Sequence, residues 1–177
     1  MIPITVYYPE ATPAQGNIGV KAIPSVASPA SASLATEVNG GTSLDLSCFL
    51  RDWNPDPTAN TGTAPARLCA PAELTNEGRV VYGAIEARYI YNPQEGDAHN
   101  DNKAKALLAK GTVLYLLVRK GLDADEDPYA VGQRYEMWKV RAGAQIKTRS
   151  GDGEFDELEI KQNFYPLGEP VDGVIVA

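Results

Sequence analysis

In GRVVYGAIEARYIYNP, residues 78–93, Val81, Ile85, Ala87, Tyr89 and Tyr91 fall on one parity, and Glu86 and Arg88 fall on the other. A period of two puts alternate side chains on opposite faces, so this pattern predicts one half-buried strand over Arg79–Tyr91, ended by Asn92-Pro93. The same alternation recurs near the C-terminus, where Leu158, Ile160, Gln162 and Phe164 share one face and Glu157, Glu159 and Lys161 the other. GTVLYLLVRKG, residues 111–121, has no polar alternation and predicts a strand covered on both faces. Further strands are expected at Ile18–Ile23, in TSLDLSCFL, in QRYEMWKVRAGAQIKTRS and in VDGVIVA, with SGDG at Ser150–Gly153 as a hairpin connection.

Two segments carry helix signals instead. SASLATEVNGG offers Ser31 or Ser33 as N-cap and Gly40 after the last turn. GDAHNDNKAKALLAKG offers Asn100 or Asp101 as cap, Ala104, Leu107 and Leu108 as apolar stripe, and Gly111 beyond the end. Many half-buried strands around one or two short helices, without regular βαβ alternation, indicate a mainly β fold: a β-sandwich or open barrel with short flanking helices. At 177 residues the chain is one domain, and its first thirty or so residues form an extended segment that lies on something else.

CFLRDWNPDPTANTGTAPARLCAP, residues 48–71, breaks the pattern, with four prolines, two cysteines, one tryptophan and little that could form a core. Loops this long in compact domains are usually functional or disordered. Trp53, Asn54 and Pro55 combine a large apolar side chain with a stiff turn, which suits insertion into a neighbour's groove; Trp53 suits the edge of its own core equally well. Cys48 and Cys69 are read as free thiols of a reducing compartment, because the N-terminus MIPITVYYPE has neither a basic start nor an apolar core of a secretion signal.

Charge narrows the function. A net charge of −7 opposes wrapping of nucleic acid, which requires a cationic face. The sole histidine, His99, has no nucleophile signature near it and reads as a cap or solvent residue. The run Asp123, Asp125, Glu126, Asp127 lacks the spacing of a coordination loop and reads as solvated. No phosphate-cradling loop is present, since GAG and GDG lack the lysine and the helix that would follow. The chain is thus read as no enzyme, with no cofactor and no metal.

The succession LSCFLRDWNP, ARLCAPAEL, ARYIYNPQ, NKAKALLAKGTVLYLLVRKGLD and DELEIKQNFYPLGEPVDGVIVA, from about Thr42 to the C-terminus, resembles the major tail protein, or tail tube subunit, of long-tailed phages infecting actinobacteria. The resemblance implies hexameric rings stacked into a hollow tube that conducts DNA at ejection without binding it specifically. It also implies that residues of about 51–78 form an inter-ring arm, with Trp53, Asn54, Pro55 and Arg67 as contact candidates. Its implied partners are further copies of the chain, a tape measure protein, and tail tip and tail terminator proteins. The implied location is the virion tail, assembled in the host cytoplasm, with no membrane. Glu86, Glu157 and Glu159 are the candidate acidic residues of the bore. A single-ring tail component (terminator or baseplate hub) and an unrelated β-sandwich binding module are the alternatives.

Overall fold

The computed structural model describes residues 11–51, 53, 55–64, 74–154 and 156–177. Strands β1 (Ile18–Ile23), β2 (Leu44–Asp45), β5 (Ile85–Ile90), β6 (Val113–Lys120), β7 (Arg134–Arg149), β8 (Leu158–Pro166) and β9 (Val171–Val174) form one antiparallel sheet. Its order is β2-β1-β6-β7-β8-β5, with β9 paired to β7; β3 (Thr58–Ala64) and β4 (Leu74–Val81) form a separate hairpin.

The sheet curls until residues 44–51 join its two ends. The Leu46 amide donates to the Val20 carbonyl at 2.8 Å, while Leu50 bridges Tyr89 and the Arg51 amide donates to the Arg88 carbonyl at 2.9 Å. β1 and β5 would otherwise be bare edges, and closure satisfies both. The mainly β, barrel-like expectation holds, as one rolled sheet in place of two stacked ones. TSLDLSCFL is a two-residue strand followed by a turn, not a continuous strand. The strand expected over Arg79–Tyr91 is broken at residues 82–84, where the chain passes from hairpin to barrel.

The barrel interior holds the predicted apolar parity: Ile85, Ala87 and Tyr89 from β5, Ile160 and Phe164 from β8, and Leu114, Leu116 and Val118 from β6. β6 is covered on both faces, as its sequence demands. Leu117 points outward under a second cluster in which Ile23, Val26 and Val38 of the N-terminal segment meet Tyr135, Met137 and Ile175. The helix signals appear as a single π turn at Leu34–Val38 and as a 3₁₀ turn, Asn100–Asn102, leading into α1 (Lys103–Leu107). Glu37 accepts from the Ser33 and Ala27 amides at 2.7 and 2.6 Å, so the first turn is capped from within. His99 caps the 3₁₀ turn through Nδ1, and buried Asn102 ties the Asn92 and Glu95 carbonyls to the helix start at 2.9 Å each.

Gln162 occupies an apolar position because α1 ends against the sheet. Its Nε2 donates to the Leu108 and Gly143 carbonyls at 2.8 and 2.9 Å, and its Oε1 accepts from the Tyr89 hydroxyl at 2.8 Å. Gln145 Nε2 serves the Lys105 and Leu108 carbonyls in the same way, at 2.8 and 3.1 Å. The terminal helix carbonyls are thereby satisfied inside the core. The β7 register slips between Ala142 and Gln145, and Gly143 sits there because a Cβ would lie 2.7 Å from the Asn163 carbonyl oxygen.

Candidate assembly surfaces and arm

Register fixes where the arm leaves the barrel. β5 runs antiparallel to β8, with Ile85 opposite Phe164 at one end and Ile90 opposite Glu159 at the other. The chain re-enters from the arm immediately before Ile85. It also departs into the arm at that end, since Leu50 bridges Tyr89 in antiparallel sense and the following residues run toward Ile85. The arm and the turn between β7 and β8 therefore lie at opposite poles.

Aromatic side chains hold both legs of the arm. Trp53 on the outgoing leg packs edge-on against Trp138 of β7, with centroids 6.4 Å apart, and against Phe164 at 6.4 Å. Tyr82 on the returning leg packs edge-on against the same Trp138 at 6.0 Å. Trp53 is 9% exposed, so in the subunit it belongs to the core at the arm's root and is not presented to a neighbour. Pro55 is half-buried; Asn54, Arg67 and Cys69 lie outside the described residues, and Cys48 is exposed as a free thiol. Sequence reasoning missed Trp138 and Tyr82. Trp138 lies on the inward parity of β7, but nothing local says that it meets both legs of a distant insertion.

Beyond the root, β3 and β4 pair only with each other within the sheet topology. Residues 58–62, 78 and 79 are exposed. An isolated two-stranded hairpin is marginal in water. Arg51, at the start of the outgoing leg, adds an electrostatic tie. Its guanidinium pairs with Glu157, and its Nε lies 3.3 Å from Glu159 Oε2.

The three acidic candidates form one ladder with three cations. Arg88 approaches Glu159 Oε1 at 3.6 Å and Glu86 Oε1 at 3.2 Å, and Lys161 Nζ lies 2.6 Å from Glu86 Oε2. Donation from Lys161, followed by Arg88, holds the Glu86 carboxyl below its usual range. Glu86 and Glu157 are solvent-accessible, at 41% and 61% of their side chains, whereas the Glu159 side chain is fully buried. Neither Glu159 oxygen receives a well-aligned hydrogen bond, so its charge is balanced by the two arginines alone. As a bore-lining acid Glu159 is out of place in the subunit: it lies beneath the guanidinium groups that the sheet surface presents.

The acidic loop after β6 has an internal anchor. Arg119, 1% exposed, donates to the Asp123 carbonyl at 2.7 Å and the Pro128 carbonyl at 3.1 Å, and stacks 4.5 Å from the Tyr129 ring centroid. Asp123 accepts from the Glu126 and Asp125 amides at 2.9 and 2.8 Å, which lowers its carboxyl pKa. Its oxygens close a turn. Among the described residues no three His, Cys, Asp or Glu side chains are grouped to hold a metal, and no helix is long and apolar enough to cross a membrane.

Among the described residues, the outer face of β5, β8 and the C-terminal part of β7 presents Ile146 and Tyr165 exposed beside the charged ladder. No curated protein matches the chain. The family model described as phage tail tube protein matches residues 6–177, and the chain belongs to that family.

Proposed function

We propose that this tail tube protein assembles into hexameric rings that stack into the tail tube of a long-tailed phage infecting an actinobacterium. Assembly takes place in the host cytoplasm, around a tape measure protein and between tail tip and terminator proteins. The observation that carries the reading is the β3–β4 hairpin. It is excluded from the barrel's sheet, residues 58–62, 78 and 79 are exposed, and both legs pack on Trp138. An element that is marginal alone but firmly aimed is built to pair with another copy, and a contact of this heterologous kind grows a filament.

We assign the bore to the outer face of β5, β8 and β7, with Glu86 and Glu157 as its accessible acids. Each carboxylate there has a cation partner, so the face is close to neutral and offers DNA no net attraction. A β-sandwich binding module would need exposed aromatics to contact a ligand, and Trp53 and Tyr129 are only 9% and 8% exposed. Negative-stain electron microscopy of the concentrated protein tests the reading. Stacked hollow rings are expected; isolated rings at every concentration would point to a terminator or hub component, and monomers throughout would overturn assembly.

A further inference from the structure

We propose that the groove formed by Ile90, Tyr91, Pro93 and Leu158 receives the β3–β4 hairpin of a second copy of this chain, head to tail. This rests on the tube reading and names the receptor that the arm meets. The groove has a volume of about 380 Å³ and lies at the pole opposite the arm, where β5 ends and β8 begins.

Leu158 carries the inward parity of β8, yet it is 49% exposed because it lies past the end of the barrel; Ile90 beside it is 37% exposed. Two large aliphatic side chains next to Tyr91 and Pro93 make an apolar surface that folding of one copy leaves wet. The loop behind it is held in place by the Asn102 hydrogen bonds, so the groove is preformed.

The second copy's hairpin fits by reach and placement. Seven residues of β3 extend roughly 24 Å, against roughly 20 Å for the six of β5, so the arm spans about one barrel strand into the next layer. Arm and groove occupy opposite poles, so copies joined this way keep one orientation and leave a free arm at one end and a free groove at the other. β3, TANTGTA, carries no charge, so its entry into the groove buries no ionised side chain.

The test uses the full chain and two variants. One carries Ile90→Asp with Leu158→Asp; the other has residues 59–80 replaced by Asn-Gly. Both groove positions are exposed, and Ile90→Ser with Leu158→Ser serves if the aspartates impair folding. Each variant alone is expected to raise the critical concentration for tube growth at least tenfold. Mixed one to one, they are expected to associate into two-layer particles and stop, because only one arm-groove pair can form between them. A groove variant that polymerises like the parent protein would overturn this assignment while leaving the tube reading intact. A parent protein that never polymerises would overturn both.

Discussion

Excising the arm separates what folds the subunit from what assembles it. Thr58 and Val81 are direct partners across the hairpin, so residues 59–80 can be replaced by Asn-Gly without moving either leg. The cut keeps Trp53 and Tyr82 on Trp138. The β3–β4 pairing it removes is worth close to nothing to an isolated hairpin. Shortening the connection from about twenty residues to two recovers up to about 2 kcal/mol of loop-closure entropy. The monomer should therefore be unchanged or up to about 2 kcal/mol more stable, a rise of no more than roughly 8 °C in melting temperature for a chain of this size. Thermal unfolding followed by circular dichroism measures that term, and electron microscopy of the same sample measures tube formation, which should be lost. A melting temperature several degrees lower would show that the arm is part of the fold. Tubes from an armless protein would refute its role in stacking.

Other perturbations address the root and the ladder. Trp53→Ala should cost about 3–5 kcal/mol, because it opens a cavity between Trp138 and Phe164, and should lower the melting temperature on the order of 10 °C. A pure inter-copy contact would leave the monomer's melting unchanged. Glu157→Lys, at an exposed position, should change monomer stability by less than about 1 kcal/mol. Glu159→Lys places a third cation in a buried site and should cost about 3–5 kcal/mol, so equal melting of the two variants would refute the burial argument. Burial raises the phenol pKa values of Tyr89 and Tyr129. The folded state then keeps protons that the unfolded state releases above about pH 10, so stability should hold below that pH and fall as pH rises further, as denaturant titrations from pH 8 to 11 would show.

Much of the barrel was legible because strand parity is a local signal. The faces of β5, the double burial of β6 and the apolar run Ile160, Gln162, Phe164 follow from alternation. Gln162 looked like a polar residue sharing an apolar face; its reason is the helix end that it satisfies, a contact made 54 positions away along the chain. Glu159 misleads for a related reason. Alternation puts it on the polar face, yet in the fold it is buried, with Arg51 from the arm's root and Arg88 from β5 against its carboxylate. Trp53 could not be placed from composition, since its destination depends on where β7 presents Trp138. What stayed hidden is whatever long-range closure decides, and the joining of residues 44–51 to both β1 and β5 is the main such event.

That closure changes the meaning of the acidic residues. Read along the chain, Glu86, Glu157 and Glu159 are candidate acids of a bore. In the folded subunit each is matched by Arg51, Arg88 or Lys161. Arg51 ties the arm's root to β8, and Arg88 stands across from Lys161 on the neighbouring strand, so these cations are placed by structural demands. On the face proposed above as the bore, exposed guanidinium groups would grip phosphates bidentately, which a DNA conduit must avoid. The carboxylates occupy those guanidinium groups. On this argument the acids serve to silence necessary cations, and removing Arg51 or Arg88 together with its glutamate partners should disturb DNA passage less than removing the glutamates alone.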